Sequence, residues 1–263
     1  MRSDVIGIYP PHAMSRSISR RSLLSAAAAL SLAPRLAQAF GDASRFIPAL
    51  AQHRGAWDAR ASGLRRLAWE LQRRTSVDVL PESRPVQLAS PALFQSPFLY
   101  LGGEGALPAL TEAEVANLRR YLTFGGFLLA DANDGIPDSP FDASLRRELK
   151  RVIPRAQLRP LPESHVVFKS FYLLDGAFGR VQVKPQLEAL FIGQRAAVIY
   201  SQNDLAGAWS RDEGGSYAFD VSPGGERQRE LAFRLGINLC MYALCLDYKD
   251  DAVHLEHILG KRR

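Results

Sequence analysis

The sequence predicts an α/β fold of three layers, a mainly parallel sheet flanked by helices. Three observations carry that expectation. Phe98-Leu99-Tyr100-Leu101 and Phe127-Leu128-Leu129-Ala130 are unbroken apolar runs, the pattern of parallel strands buried on both faces. A helix with marked ends joins them. Thr111 and Glu114 have the spacing of a capping box, Val115, Leu118 and Leu122 form an apolar stripe, and Gly125-Gly126 supplies the stop. Strand, capped helix, glycine stop and strand make a βαβ unit, so the two strands should be parallel. Ala196 to Ser201 is a third buried run of the same kind.

The remaining elements follow in order. Trp57, Leu64, Leu67, Ala68 and Leu71 recur at helical spacing and predict a helix over 56–74. Val77 to Leu80 reads as a short strand, followed by a link carrying Pro81, Pro85 and Pro91. Ser139-Pro140 is an N-cap with proline at the first helical position. Phe141, Leu145, Leu149 and Val152 then mark one buried face, closed by Pro154. Val166-Val167-Phe168 and Arg180 to Val183 fit strand or loop equally, because prolines at 154, 160, 162 and 185 interrupt the region. A last long helix spans about 226–246. Cys240 and Cys245 lie on it. Five residues turn a helix by about 500°, so their sulfurs cannot bridge locally.

Residues 19–40 precede this framework with a different signal. Arg20-Arg21, the apolar run Leu23–Ala33 and the small-x-small site Ala37-Gln38-Ala39 have the order of a twin-arginine export signal. The expectation is a periplasmic or exported protein, with residues 1–39 as signal peptide and 40–263 as a single domain. Its precursor would meet the twin-arginine export machinery, which carries folded proteins. Met14 opens a better basic leader than Met1, so translation is expected to start there. Retention of the leader as an anchor helix stays open. The apolar run is shorter than the roughly 20 residues a bilayer span needs, and the mature chain has no longer one. The formal charge of +6 comes from 33 basic and 27 acidic residues; removing the five arginines and one aspartate of residues 1–39 leaves 28 and 26, a net of +2. A near-neutral domain has no overall field for polyanions, which argues against nucleic-acid binding.

Several segments together resemble the bacterial family catalogued as domain of unknown function 4159. They are Pro97–Gly103, Leu118–Leu122, Gly125–Asp131, Phe141–Pro154, His165–Phe171, Ala197–Ser201 with Asn203-Asp204, and Gly236–Leu239 with Tyr242–Leu244. The resemblance runs over about 77–254. It implies a flavodoxin-like sheet related to class I glutamine amidotransferase-like domains and brings no activity with it. It also implies a histidine in the Gly-rich loop where this chain has Glu104.

Ligands of open α/β sheets gather beyond the carboxyl ends of parallel strands. Three polar clusters fall there: Glu104 with Gly102 and Gly103; Asp131, Asn133 and Asp134; and Asn203 with Asp204. Brought to one rim, these carboxylates could bind a divalent cation through oxygens or place an acid and a base about a sugar. The same residue types also cap helices and turns. His165 is a candidate base or ligand, or a residue that pins its loop. Ser201 suits a strand-end hydrogen bond better than a nucleophile. No Gly-x-Ser-x-Gly elbow occurs, neither cysteine sits on a strand-to-helix turn, and a carboxylate within Gly102–Gly105 would repel phosphate. His254 and His257 beside Asp250 and Asp251 are too few for a metal expectation, and no cofactor is indicated. Arg146, Arg147, Lys150, Arg151, Arg155 and Arg159 form a basic run that is either a solvated face or a dock for an acidic partner, a phospholipid surface or an anionic envelope polymer. Trp209 and Tyr217 fit a sugar-stacking loop or a satellite apolar cluster.

Two functional readings follow. One is a non-catalytic binding or assembly module taking an envelope protein or cell-wall ligand. The other is an envelope hydrolase using Asp131, Asp134, Asp204 and Glu104.

Overall fold

A computed structural model describes the backbone of residues 45–260 and side chains through Cys245. The expected export signal, Met14 and the side chains of Asp250, Asp251, His254 and His257 lie outside the described residues. Seven strands form one sheet. They are β1 (Ala49–Gln52), β2 (Arg84–Gln87), β3 (Phe98–Gly103), β4 (Phe127–Ala132), β5 (Arg159–Pro160), β6 (Glu188–Ile192) and β7 (Arg195–Ser201), in the order β2-β1-β3-β4-β7-β6-β5. The first five in that order are mutually parallel, and β6 and β5 close the far edge antiparallel. The parallel strands follow the flavodoxin-like order.

Helices cover both faces. α1 (Ala61–Arg74), α4 (Leu205–Trp209) and α5 (Gly225–Gly260) pack on one face with Phe98, Tyr100, Phe127 and Ile199. α2 (Glu112–Thr123) and α3 (Pro140–Val152) pack on the other with Leu99, Leu101, Leu128 and Val198. Successive residues of a strand point to opposite faces, so each central strand feeds both cores and needs the continuous apolar run seen in the sequence. From Phe46 onward the chain is one compact unit.

The helix boundaries follow their caps. Thr111 Oγ1 accepts from Glu114 N while Glu114 Oε2 accepts from Thr111 N at 2.7 Å, the reciprocal pair that starts α2. Gly125 has φ 112°, which the turn into β4 requires and a side chain would strain. Ser139 caps α3, with Pro140 inside its first turn. Cys240 is buried, Cys245 is exposed and both are free thiols.

The structure corrects three expectations and decides a fourth point that the sequence leaves open. The helix expected from residue 56 begins at Ala61; residues 57–60 are a turn that delivers Arg60 inward. Val77–Leu80 contributes only an isolated bridge between Val79 and Phe46, and the outer strand is β2, inside the proline-rich link. Pro85 is tolerated there because an edge strand leaves one row of its backbone groups unpaired. Val166–Lys169 is a 3₁₀ turn, and 180–183 is irregular. The last helix runs beyond 246, to Gly260.

Candidate functional site

Because β3, β4 and β7 are adjacent and parallel, the tips after Leu101, Ala130 and Tyr200 share one edge. Asp131 is paired in register with Gly102 on one side and Ser201 on the other. Its carboxylate is fully buried and surrounded by donors. Leu205 N donates to Oδ1 and Ala206 N to Oδ2, both at 2.9 Å, and Tyr100 OH donates to Oδ2 at 3.0 Å. Asp131 thus holds the first two backbone N–H groups of α4, which the helix leaves without internal partners.

Asp204 is the N-cap of the same helix. It sits in the left-handed region with φ 47°, and its Oδ1 accepts from Gly207 N at 3.1 Å. Arg60 grips it through two bonds, Nε to Oδ1 at 3.0 Å and Nη2 to Oδ2 at 3.1 Å. Arg180 Nε also donates to Oδ2. The Asn133 amide nitrogen joins the two carboxylates, at 3.2 Å from Asp131 Oδ2 and 3.3 Å from Asp204 Oδ1, and donates to Tyr100 OH at 2.9 Å. Burial first, and then the Asp204 charge, push Asp131 up to about 7, while the α4 and Tyr100 donors pull it back. Burial followed by the Asp131 charge holds the Tyr100 hydroxyl well above the usual phenol range.

Gly102 is needed where it stands, because a Cβ there would run into the Tyr100 hydroxyl and the Asn133 amide oxygen. Glu104 is half-exposed and pairs with Arg60 Nη2 at 2.9 Å. The Asp134 Oδ1 accepts from Gly105 N at 2.6 Å, and its Oδ2 is enclosed with no hydrogen-bond partner among the described residues. Asn203 faces away from this group. Its amide nitrogen donates to Lys184 O at 2.7 Å and its Oδ1 accepts from Lys184 N at 2.8 Å, which pins the segment before β6.

His165 is not brought to this edge. It caps the 3₁₀ turn through Nδ1 and packs edge-on against Tyr242 and Phe191, near the amino end of β7. Ser201 Oγ accepts from Asn203 N, a strand-end bond. Trp209 is fully buried and stacks on Phe233, and Tyr217 lies under the guanidinium groups of Arg211 and Arg229.

Sequence reasoning missed three residues of the network, Arg60, Tyr100 and Arg180, and a fourth beside it, His53. His53 follows β1, and its Nε2 donates to Gly102 O at 2.9 Å while Nδ1 accepts from Gly55 N at 3.0 Å. Both ring nitrogens are engaged, which fixes the neutral Nε2–H tautomer. Burial lowers its pKa accordingly, against a smaller opposing pull from the Gly102 carbonyl. An open cleft of about 310 Å³ lies beside it, lined by Gln52, His53, Arg54, Gln87, Ala89 and Glu114. This cleft sits at the carboxyl ends of β1 and β2, next to the point where strand order reverses. Among the described residues no helix is long and apolar enough to cross a membrane.

The family model described as domain of unknown function (DUF4159) matches residues 47–244. The match takes in β1, which lies before the segments that carry the resemblance in the sequence. Among curated proteins none matches the chain.

Proposed function

The chain belongs to the DUF4159 family, and from that premise we propose that it is a non-catalytic binding or assembly module, exported by the twin-arginine route to the periplasm and related to amidotransferase-like sheets. One observation carries the reading. Asp131 and Asp204 are fully buried, and every oxygen of the pair already accepts from α4, Arg60, Arg180, Asn133 or Tyr100. A general acid or base must reach the proton that it moves. These two carboxylates instead support a rigid rim, as a binding site needs.

The cleft beside His53 is where a ligand fits this reading. It offers the amides of Gln52 and Gln87 together with one cation, Arg54, and one anion, Glu114. Arg54 and Glu114 lie 3.9 Å apart and balance each other, so this mixed lining suits a polar ligand that carries both donors and acceptors, such as a cell-wall fragment.

A thermal-shift screen against divalent ions and muropeptides tests the proposal, because a ligand that prefers the native state raises the melting temperature. A muropeptide should raise it. Asp131→Asn should keep the shift and Gln87→Ala should lose it. Turnover of the fragment that stops in Asp131→Asn would replace the module by the hydrolase. The export reading is tested separately: Arg20→Lys with Arg21→Lys should hold the precursor in the cytoplasm.

A further inference from the structure

The basic run of α3 separates into two sets once its contacts are known. Arg146 is clamped by Asp142 and Glu188, Arg147 by Glu148, and Arg151 by Glu112 and Glu148. These three are used within the fold. Among the described residues Lys150, Arg155 and Arg159 have no carboxylate partner, and neither has Lys184 from the segment before β6.

Two of these cations, Lys150 and Lys184, line a groove. Two clefts, of about 220 and 230 Å³, adjoin along β6 and share Arg146. Lys150 lines the first and Lys184 the second. Arg159 lies in sequence between Leu158 of the first and Pro160 of the second. Arg146 is shared by the two nearby carboxylates, Asp142 and Glu188, and offsets one of their two charges, which leaves a single negative charge against Lys150, Lys184 and Arg159. The groove therefore carries a surplus of positive charge although the mature domain as a whole is close to neutral.

The shape and the lining select among anionic ligands. An extended peptide adds to a sheet through backbone ladders, but Pro160 and Pro185 line the groove and neither has an N–H to offer. Single-stranded nucleic acid needs exposed aromatic platforms, whereas Tyr200 is buried and the Phe191 ring is covered by Arg159. A membrane surface takes apolar side chains that project into it, whereas Leu149 and Leu190 are buried in the floor of the groove. What remains is an apolar floor of Leu149, Leu158 and Leu190 with the exposed amides of Gln157 and Gln186. Amides pair with hydroxyl groups as donor and acceptor together, and aliphatic side chains cover the apolar face of a pyranose ring.

We propose that the paired clefts bind an acidic oligosaccharide, with its anionic groups on Lys150 and Lys184 and its hydroxyls on Gln157 and Gln186. The site is independent of the cleft beside His53 and stands or falls without it. The anion of such a glycan is either a uronate carboxylate or a phosphate.

Calorimetric titration of the purified full chain tests this, with octagalacturonate, mannopentaose phosphate, neutral maltooctaose and octa-aspartate as probes. One charged glycan should bind saturably, and which one identifies the anion. Its affinity should fall with added salt. Lys150→Gln with Lys184→Gln should weaken it about tenfold or more, as expected for losing two charge-assisted contacts, with an unchanged melting temperature. Lys150→Arg with Lys184→Arg should keep it. Failure of both charged glycans to bind, equal binding of octa-aspartate or maltooctaose, unchanged affinity in the glutamine variant, or loss in the arginine variant would each overturn the proposal.

Discussion

Arg60 grips both carboxylate oxygens of Asp204, at 3.0 and 3.1 Å, across a sequence separation of 144 residues. Neither side chain is more than 4% exposed. The pair ties the turn before α1 to the cap of α4, and so joins two elements that pack on one face of the sheet. Removing one member of a buried pair leaves the other charge uncompensated, which costs about 3–5 kcal/mol. Arg180 still reaches Asp204, so Arg60→Met should fall near the lower end, about 3 kcal/mol. Arg60→Lys should lie between the variant and wild type, because a lysine cannot supply the two-pronged fork. Urea unfolding of the three proteins checks the order; a loss under about 1 kcal/mol for Arg60→Met would mean that the pair is not structural.

Asp131 carries a pH dependence of definite sign. Its native pKa is raised to about 7 from an ordinary 3.8, by burial and by the Asp204 charge. The folded state therefore holds a proton that the unfolded chain releases, and this group's contribution to stability falls as pH rises between about 4 and 7. Asp131→Asn removes the titration. The stability advantage of wild type over the variant should be largest near pH 4 and shrink toward pH 7. Melting curves of both proteins across that range provide the measurement, and a gap that widens with pH would reverse the assignment.

The framework of the fold was legible because its determinants are local. Phe98–Leu101 and Phe127–Ala130 need only their own residues to announce buried strands, and the caps at Thr111 and Ser139 need only three or four neighbours. The acidic tips were legible for the same reason, since strand polarity alone sends Glu104, Asp131 and Asp204 to one edge. What those carboxylates do was not. Arg60 lies within a stretch of helical spacing and Tyr100 within an apolar strand run, and neither local pattern marks a site. Only tertiary packing brings them to Asp204 and Asp131. β1 escaped notice because Ala49-Leu50-Ala51-Gln52 is short and lacks β-branched residues, although it lies between β2 and β3 in the sheet. α4 escaped because its five residues are held by Asp131, which lies 74 positions from its first N–H.

His53 gives a second pH effect, of opposite sign. Burial lowers its pKa below the ordinary 6.5. The unfolded chain then takes up a proton that the folded state refuses, so this contribution is complete above about pH 6.5 and declines as pH falls below it. Protonation would also turn Nδ1 from an acceptor into a donor facing Gly55 N–H, at a distance of 3.0 Å. Nitrogen NMR of the imidazole should show Nε2–H with a bare Nδ1 at neutral pH, persisting below 6.5. A ring that titrates at the ordinary value with no coupled shift at Gly55 would show that the two bonds do not hold it. His53→Gln, which can still donate to Gly102 O, should flatten the acid side of the stability profile.

Gly102 tests whether the network tolerates any slack. The residue belongs to β3 and pairs with Asp131 on one side, and its carbonyl accepts from His53 Nε2 at 2.9 Å, so its position is set. A methyl group there meets the Tyr100 hydroxyl and the Asn133 amide oxygen together. Neither neighbour can swing away freely, because Tyr100 OH donates to Asp131 and accepts from Asn133, and Asn133 also donates to both carboxylates. Relief of the clash therefore breaks a hydrogen bond inside a group that is shut off from water. Overpacking costs about 1–3 kcal/mol, and each orphaned buried polar group costs a similar amount again. Gly102→Ala should lose about 2–6 kcal/mol on that reckoning, whereas Gly105→Asn, at φ 70° with open space around its Cβ, should lose well under half as much. Tyr100→Phe in the Gly102→Ala background should restore part of the loss, since it removes the atom that is struck. If the double variant is no more stable than Gly102→Ala alone, the hydroxyl is not what the methyl group displaces, and the rim is softer than its hydrogen bonds imply.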